Sequence, residues 1–227
     1  MDDGIEKAID WRGSSLADLL AFPIDARKAA GFELSKVQRG LEPGNWKPMV
    51  SCGSGVIEIR LYATGGAFRV VYVAKFSEAI YVLHSFQKKT EKTSRHDIQI
   101  IKARYDAVIM SGVKVMTKPI DTGSRHVTPA GGNVFADLGF SADEARQLQA
   151  QSNAEIAQLI ALKKQLMGEI SAWIEEEGYR QEEAARYLHT SRPRVSDVVN
   201  QKTEKFTLDA LVNMMANIGK SVKLIVE

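Results

Sequence analysis

A chain of 227 residues is long enough for one large domain or two small ones. Its composition, 44% hydrophobic and 26% charged, is that of an ordinary soluble protein, and no apolar run approaches the roughly 20 residues of a membrane-spanning helix. The N-terminal sequence lacks the features of a secretory signal, so we expect a cytoplasmic protein without membrane contact. The single cysteine, Cys52, excludes an internal disulfide and a cysteine-based metal cluster, and we expect neither metal nor cofactor.

Positive charge is concentrated in one segment, although the net charge of the chain is only +2. Between residues 85 and 105, six basic side chains stand against two acidic ones. The basic side chains are Lys88, Lys89, Lys92, Arg95, Lys102 and Arg104. Such a run attracts phosphate groups, but it is also typical of a solvated surface helix, and both interpretations stay open at this point.

The first 110 residues predict two helices, three strands and a closing helix. Pro23 interrupts the first helical stretch, and a second helix follows over 24–36. Alternating or β-branched sequences predict strands over 56–62, 67–76 and 79–86. Two glycines at 63–66 favour a tight hairpin between the first two strands, and helical spacing returns over 97–108. This half is therefore predicted to be an α+β unit with an antiparallel sheet.

Residues 110–139 are rich in Gly, Thr, Pro and Ser and have no sustained period, which indicates a linker or extended arm between domains at 1–109 and 140–227. Helical signals resume at Ser141, which forms a capping box with Glu144, and again at Ser152, where a second box would open a longer helix. Gly178 is expected to end that helix. Four helices and a short strand over 221–226 complete the predicted all-α domain.

Residues 181–201 have the pattern of a helix-turn-helix. Small Ala184 and Ala185 allow two helices to approach closely, Leu188 and two valines fill the wedge between them, and Ser191 is placed to cap the second helix. The outward residues of that second helix suit phosphates and base edges in a major groove: Arg192, Arg194, Ser196, Asp197 and Asn200. An αα-hairpin that merely packs is the alternative.

This segment resembles the XRE (Cro/repressor-like) helix-turn-helix family through QEEAARYL, SRPRVSDV and TLDALVNMMANIGKSVKLIV. The preceding GGNVFADLGFSADEA is similar to the start of HigA-type antitoxins, which extends the resemblance to about residue 128. The resemblance implies that Gln181 contacts a phosphate while Arg192, Arg194, Ser196 and Asn200 face operator DNA, with Ser191 at the helix start. One departure is His189, which stands where the family usually has glycine.

The N-terminal half resembles the phage-derived branch of the RelE/HigB toxin family. The resemblance is carried by GNWKPM, GVIEIRLY, GGAFRVVYVAKF and AIYVLHSFQKKTEKTSRHDIQIIKARY. It implies a ribosome-associated endoribonuclease that cleaves mRNA during translation. Attack by a 2′-hydroxyl needs cations on the phosphate, a general acid and a general base.

The cations in this half are Arg60 and Arg69, which alternation places on one sheet face, and Lys88 and Lys89 at the end of the third strand. By the motif match, Arg69 and Lys89 take the places of phosphate-binding or acid residues, and Arg60 takes a further cationic position. An ion pair of Arg69 with Glu58 or Glu78 is the structural alternative. The general base stays undecided between His84, which the pattern also fits as a core histidine, and His96. Phe86 could either stack on an RNA base or pack in the core.

These resemblances predict a toxin domain joined to an antitoxin domain that neutralises it, binds operator DNA and forms a homodimer. The toxin-antitoxin contact is expected within or between chains, and the arm at 117–139 is long enough to cover the cationic residues. Met110 and Met116 lie where an independent antitoxin would begin, so the sequence fits a natural fusion, an engineered one or two adjoining products equally. The competing hypothesis is a DNA-binding regulator whose RelE-like half is an inactive docking domain.

Overall fold

The computed structural model describes residues 6–110 and 120–223 and divides into two compact units, Met1–Ser152 and Asn153–Glu227. The mixed α+β class predicted from the sequence is confirmed. The first unit contains β1 (Ala8–Arg12), α1 (Ser15–Leu20), α2 (Ile24–Gln38), β2 (Trp46–Pro48), β3 (Val56–Ala63), β4 (Gly66–Val73), β5 (Ala79–Lys88), α3 (Arg95–Ile109), β6 (Ser124–Thr128), α4 (Val134–Asp137) and the start of α5 (Ala142–Glu176). The second contains the rest of α5, α6 (Gln181–Tyr187), α7 (Arg192–Val199) and α8 (Leu208–Asn217).

Six strands form one sheet in the order β2-β3-β4-β5-β1-β6. The predicted hairpin is present: β3 and β4 pair antiparallel around Gly65 and Gly66, both of which have positive φ. The sheet departs from the predicted antiparallel arrangement at β1, which runs parallel to β5. Strands β1, β2 and β6 were not predicted, since each is short and β1 and β6 pair with distant parts of the chain.

The two faces of the sheet are covered by different elements. On one face Ile59, Val70 and their neighbours form a core with α2 and α4. On the other face α3 and the turn at Val50–Cys52 cover Val71, Leu83 and adjacent residues. Because side chains alternate along a strand, Arg60 and Arg69 lie on this second face.

The predicted linker at 110–139 does not coincide with the boundary between the two compact units, which follows Ser152. Within residues 110–139, β6 pairs with β1 and α4 contributes Phe135 to the first core. Residues 111–119, including Met116, lie outside the described residues. Phe135 and Leu138 are fully buried, and residues 124–152 are part of the first unit.

Helix α5 is continuous for 35 residues. The capping box at its start is confirmed, since the hydroxyl and backbone N–H of Ser141 donate to the Glu144 carboxylate. The second predicted box was wrong as a helix start: Ser152 is buried inside α5. Gly178, with φ of +68°, follows the helix end as predicted.

The second unit is a small helical core around Met167, Ile170 and Leu211. Residues 221–223 have no regular structure, and the rest of the predicted terminal strand lies outside the described residues. No helix of the described residues is long and apolar enough to cross a bilayer. Within the same residues, no group of three or more His, Cys, Asp or Glu side chains is placed to hold a metal ion.

Candidate functional site

The first candidate site is a cationic patch on the sheet face that carries α3. Arg60 on β3 lies directly opposite Arg69 on β4, as the alternation predicted. Lys47 pairs in register with Glu58, and Lys88 with Ala67, so both belong to the same face. We call Lys47, Arg60, Arg69 and Lys88 the cationic patch. Lys89 is exposed and follows the end of β5.

A buried carboxylate lies beneath these cations. Glu58 is fully buried, and its Oε1 is 3.4 Å from Nε of Arg60, 3.4 Å from Nε of Arg69 and 3.6 Å from Nζ of Lys47. The ion pair considered as an alternative for Arg69 is therefore formed with Glu58. Three cations around one carboxylate leave a local charge of +2.

Arg69 and Arg60 differ in their access to solvent. The Arg69 side chain is 5% exposed, and its Nη1 donates to the carbonyl of Phe68 at 2.8 Å. The Arg60 side chain is 34% exposed. Arg69 is thus held in place from inside the sheet, whereas Arg60 can approach a ligand from solvent.

Two aromatic rings border the patch. Tyr62 is 68% exposed, and the Arg69 guanidinium lies 5.7 Å from the centre of its ring. This tyrosine was not predicted as a site residue, although its position two residues after Arg60 places it on the same face. Phe86 pairs in register with Arg69 and packs partly into the core under α3, which favours the core interpretation of this residue.

His84 is enclosed at the edge of the patch. It is 5% exposed and stacks on Phe86, and its Nε2 lies 3.0 Å from Oδ1 of Asp97. Its Nδ1 lies 3.7 Å from the Asp18 carboxylate. Burial lowers the pKa of His84, and the hydrogen bond with Asp97 partly opposes this. These contacts are those of a core histidine, while His96 is exposed on α3.

The basic run at 85–105 is only partly a surface feature. Lys89, Lys92, Arg95 and Lys102 are exposed. Arg104, however, is 3% exposed and donates to the carbonyls of Leu83 and Asp121 and to the Ser14 hydroxyl. The prediction that Arg104 belongs to the surface charges was wrong, because its side chain is buried. Its hydrogen bond to the Asp121 carbonyl ties that residue to the fold.

The described part of the predicted arm lies away from the cationic patch. Strand β6 is separated from β4 by β5 and β1, and α4 packs on α2 at the opposite face of the sheet. The expectation that this arm covers the cationic residues is therefore wrong for residues 120–139.

The second candidate site is the helix-turn-helix formed by α6 and α7. The small and apolar residues predicted for its wedge are buried: Ala184, Ala185, Leu188, Val195 and Val198. His189 takes the position expected for glycine, with φ of +49°. The predicted packing of the two helices against each other is thus present with histidine at this position.

The residues predicted to meet DNA lie at the start and on the outer side of α7, with Gln181 at the start of α6. Ser191 occupies the N-cap position of α7, but its side chain forms no cap hydrogen bond, in contrast to the prediction. Arg192 is exposed, Ser196 is half-buried, and the Asn200 amide donates to the Ser196 carbonyl. The DNA contacts themselves stay a prediction.

Arg194 is held by the segment that follows α7. Its guanidinium lies 4.2 Å from the centre of the Phe206 ring, and its Nη2 donates to the Lys205 carbonyl at 3.4 Å. The role of Phe206 was not predicted, since this buried residue follows α7 only after a turn at Thr203–Lys205.

Comparison with protein families gives two separate matches. Residues 17–106 match the family described as phage derived protein Gp49-like (DUF891), and residues 134–227 match a helix-turn-helix domain, each covering about two fifths of the chain. No curated protein is similar enough to the chain to count as a match. The chain therefore carries a Gp49-like domain followed by a helix-turn-helix domain, in agreement with the phage-derived resemblance and the fold predicted for each half.

Proposed function

We propose that this pairing of a Gp49-like domain with a helix-turn-helix domain is a type II toxin-antitoxin module, of HigB/HigA type, in one chain. The first domain is a ribosome-dependent mRNA endoribonuclease. The second neutralises it, forms a homodimer and represses its own operon by binding operator DNA. The observation that carries the proposal is the cationic patch with Tyr62 beside it, on a domain joined to a helix-turn-helix.

The patch suits a phosphodiester whose negative charge grows during cleavage. Arg60 is the cation that meets the phosphate, since it is accessible, while Lys88 and Lys89 extend the positive field along the RNA. Tyr62 offers an exposed ring on which a base can stack. Arg69 acts as a positioning residue: Glu58 and the Phe68 carbonyl hold its guanidinium, and it lies against the Tyr62 ring.

The helix-turn-helix supports the DNA-binding part of the proposal. Helix α7 enters the major groove, with Arg192 and Arg194 near its start and Ser196 and Asn200 further along. Two copies related by a two-fold axis would read a palindromic operator with half-sites about one helical turn apart.

The experiment compares the full chain with residues 1–152, because Phe135 and Leu138 belong to the core of the first unit. Induced expression of 1–152 is expected to arrest growth and to cut translating mRNA, whereas the full chain is expected to do neither. In 1–152, Arg60→Ala should slow cleavage about 100-fold. Lys28→Ala, on an exposed position of α2 at the opposite face, is the matched control and should leave cleavage unchanged.

A second candidate is a DNA-binding regulator whose Gp49-like domain docks and does not cleave. The burial of Arg69 on Glu58 and of His84 between two aspartates favours it, since neither side chain is free to act on a substrate. Intact mRNA in cells that accumulate folded 1–152 would select this candidate. Operator binding by the full chain is common to both and is tested separately by fluorescence anisotropy.

A further inference from the structure

The two family matches and the two compact units divide the chain at different places. The helix-turn-helix match begins at residue 134, yet the first compact unit continues to Ser152. The first residues of the second family therefore pack into the core of the domain formed by the first.

Strand β6, which precedes this match, and helix α4, which lies at its start, contact two adjoining parts of the first unit. Strand β6 pairs antiparallel with β1, with Ile9 opposite Thr128 and Trp11 opposite His126. Helix α4 lies on α2, where Phe135 meets the ring of Phe32 at 5.3 Å in a T-shaped contact.

Gly31 forms the notch that receives Phe135. A Cβ atom at position 31 would lie 2.4 Å from the Phe135 ring, closer than any real contact allows. A glycine inside a helix costs about 1 kcal/mol relative to alanine. The missing side chain at this position is what gives the ring its place on α2.

Polar contacts connect the strand, the helix and the domain below them. The Trp11 indole donates to the Thr128 hydroxyl at 3.0 Å, and that hydroxyl donates to the Asp137 carboxylate at 2.5 Å. Arg27 on α2 donates to the carbonyl of Leu138 at 2.9 Å. The segment is thus recognised by strand pairing, one buried ring and several directed hydrogen bonds.

We propose that residues 124–148 are a docking segment and that β1 with the Gly31 notch of α2 is its binding surface. The surface fits a partner that consists of an edge strand followed by a short helix with a phenylalanine at its start. It holds the segment without the covalent link through 111–119. The proposal does not depend on nuclease activity, and the α2 part of the surface lies on the opposite face of the sheet from the cationic patch.

The test uses the full chain with a protease recognition sequence inserted between residues 114 and 115, and one fragment immobilised after cleavage. Release of the other fragment is followed over time. The cleaved wild type is expected to stay associated. Phe135→Ala should speed release about 100-fold or more, and Gly31→Ala at least about tenfold. Val50→Ala, at a side chain that is 76% exposed and lies outside both the docking segment and its surface, is the control and should change release less than twofold.

A size-compensating pair separates docking from a general loss of folding. Phe135→Leu replaces the ring with a smaller side chain and so makes room for the methyl group that Gly31→Ala adds. The double variant should therefore release more slowly than Gly31→Ala alone. Immediate separation of the wild-type fragments would overturn the proposal. So would wild-type release rates in both Gly31→Ala and Phe135→Ala, because other contacts would then hold the fragments. Growth arrest plays no part in this measurement, so its outcome is independent of the proposed toxin activity.

Discussion

Replacing Glu58 by glutamine tests how the cationic patch is held together. Glu58 is fully buried, and of its three cationic partners only Arg69 is also buried, at 5% exposure, while Arg60 and Lys47 are 34% and 37% exposed. The two exposed pairs contribute little because water screens them. Breaking a buried pair costs about 3–5 kcal/mol. Arg69 keeps its hydrogen bond to Phe68, so we expect Glu58→Gln to lower the free energy of unfolding by about 2–3 kcal/mol.

The measurement is urea denaturation of the first unit, followed by circular dichroism. Glu78→Gln is the matched control: Glu78 is exposed before β5, and its change should stay within about 0.5 kcal/mol. In an Arg69→Met background the effect of Glu58→Gln should shrink, because the buried partner is gone. A loss below about 1 kcal/mol in Glu58→Gln, or equal losses in both backgrounds, would refute the role assigned to this pair.

Three further predictions concern single side chains. Burial lowers the pKa of His84 below its unfolded value. The neutral side chain therefore stabilises the fold above about pH 6.5, and this contribution is lost as the pH falls through the folded pKa. His84→Gln should flatten the decline in unfolding free energy between pH 7 and 5. Phe206→Leu should weaken operator binding about fivefold by anisotropy, with no further effect in an Arg194→Ala background, because the ring acts through that guanidinium. His189→Gly should raise the unfolding free energy of the second unit by about 0.5–1 kcal/mol in calorimetry, since glycine adopts positive φ without strain. An unchanged or lower value would show that the histidine side chain contributes to the fold.

Local pattern was sufficient for the central part of the fold. Strands β3, β4 and β5 alternate or are β-branched, and the Gly-Gly turn fixes the register that brings Arg60 opposite Arg69. The helix-turn-helix wedge could be predicted for the same reason, since each small or apolar residue has a local steric role.

Features that depend on distant partners could not be predicted. Strand β1 has only five residues and pairs with β5, and β6 lies in a segment rich in glycine and proline. Arg104 looks like a surface charge in sequence, and only the folded chain brings Ser14 and Asp121 to it. Ser152 has the sequence of a capping residue but lies inside a continuous helix, because no proline interrupts residues 142–176.

The hydrogen bond between Trp11 and Thr128 gives the docking segment an optical signal. The chain has three tryptophans, and Trp11 is fully buried against the segment with its indole nitrogen hydrogen-bonded to it. Undocking would expose this ring to water, and its fluorescence emission would shift to longer wavelength. With Trp46 and Trp173 replaced by phenylalanine, the emission of Trp11 would report occupancy of the surface in real time, without a label and without separating the fragments.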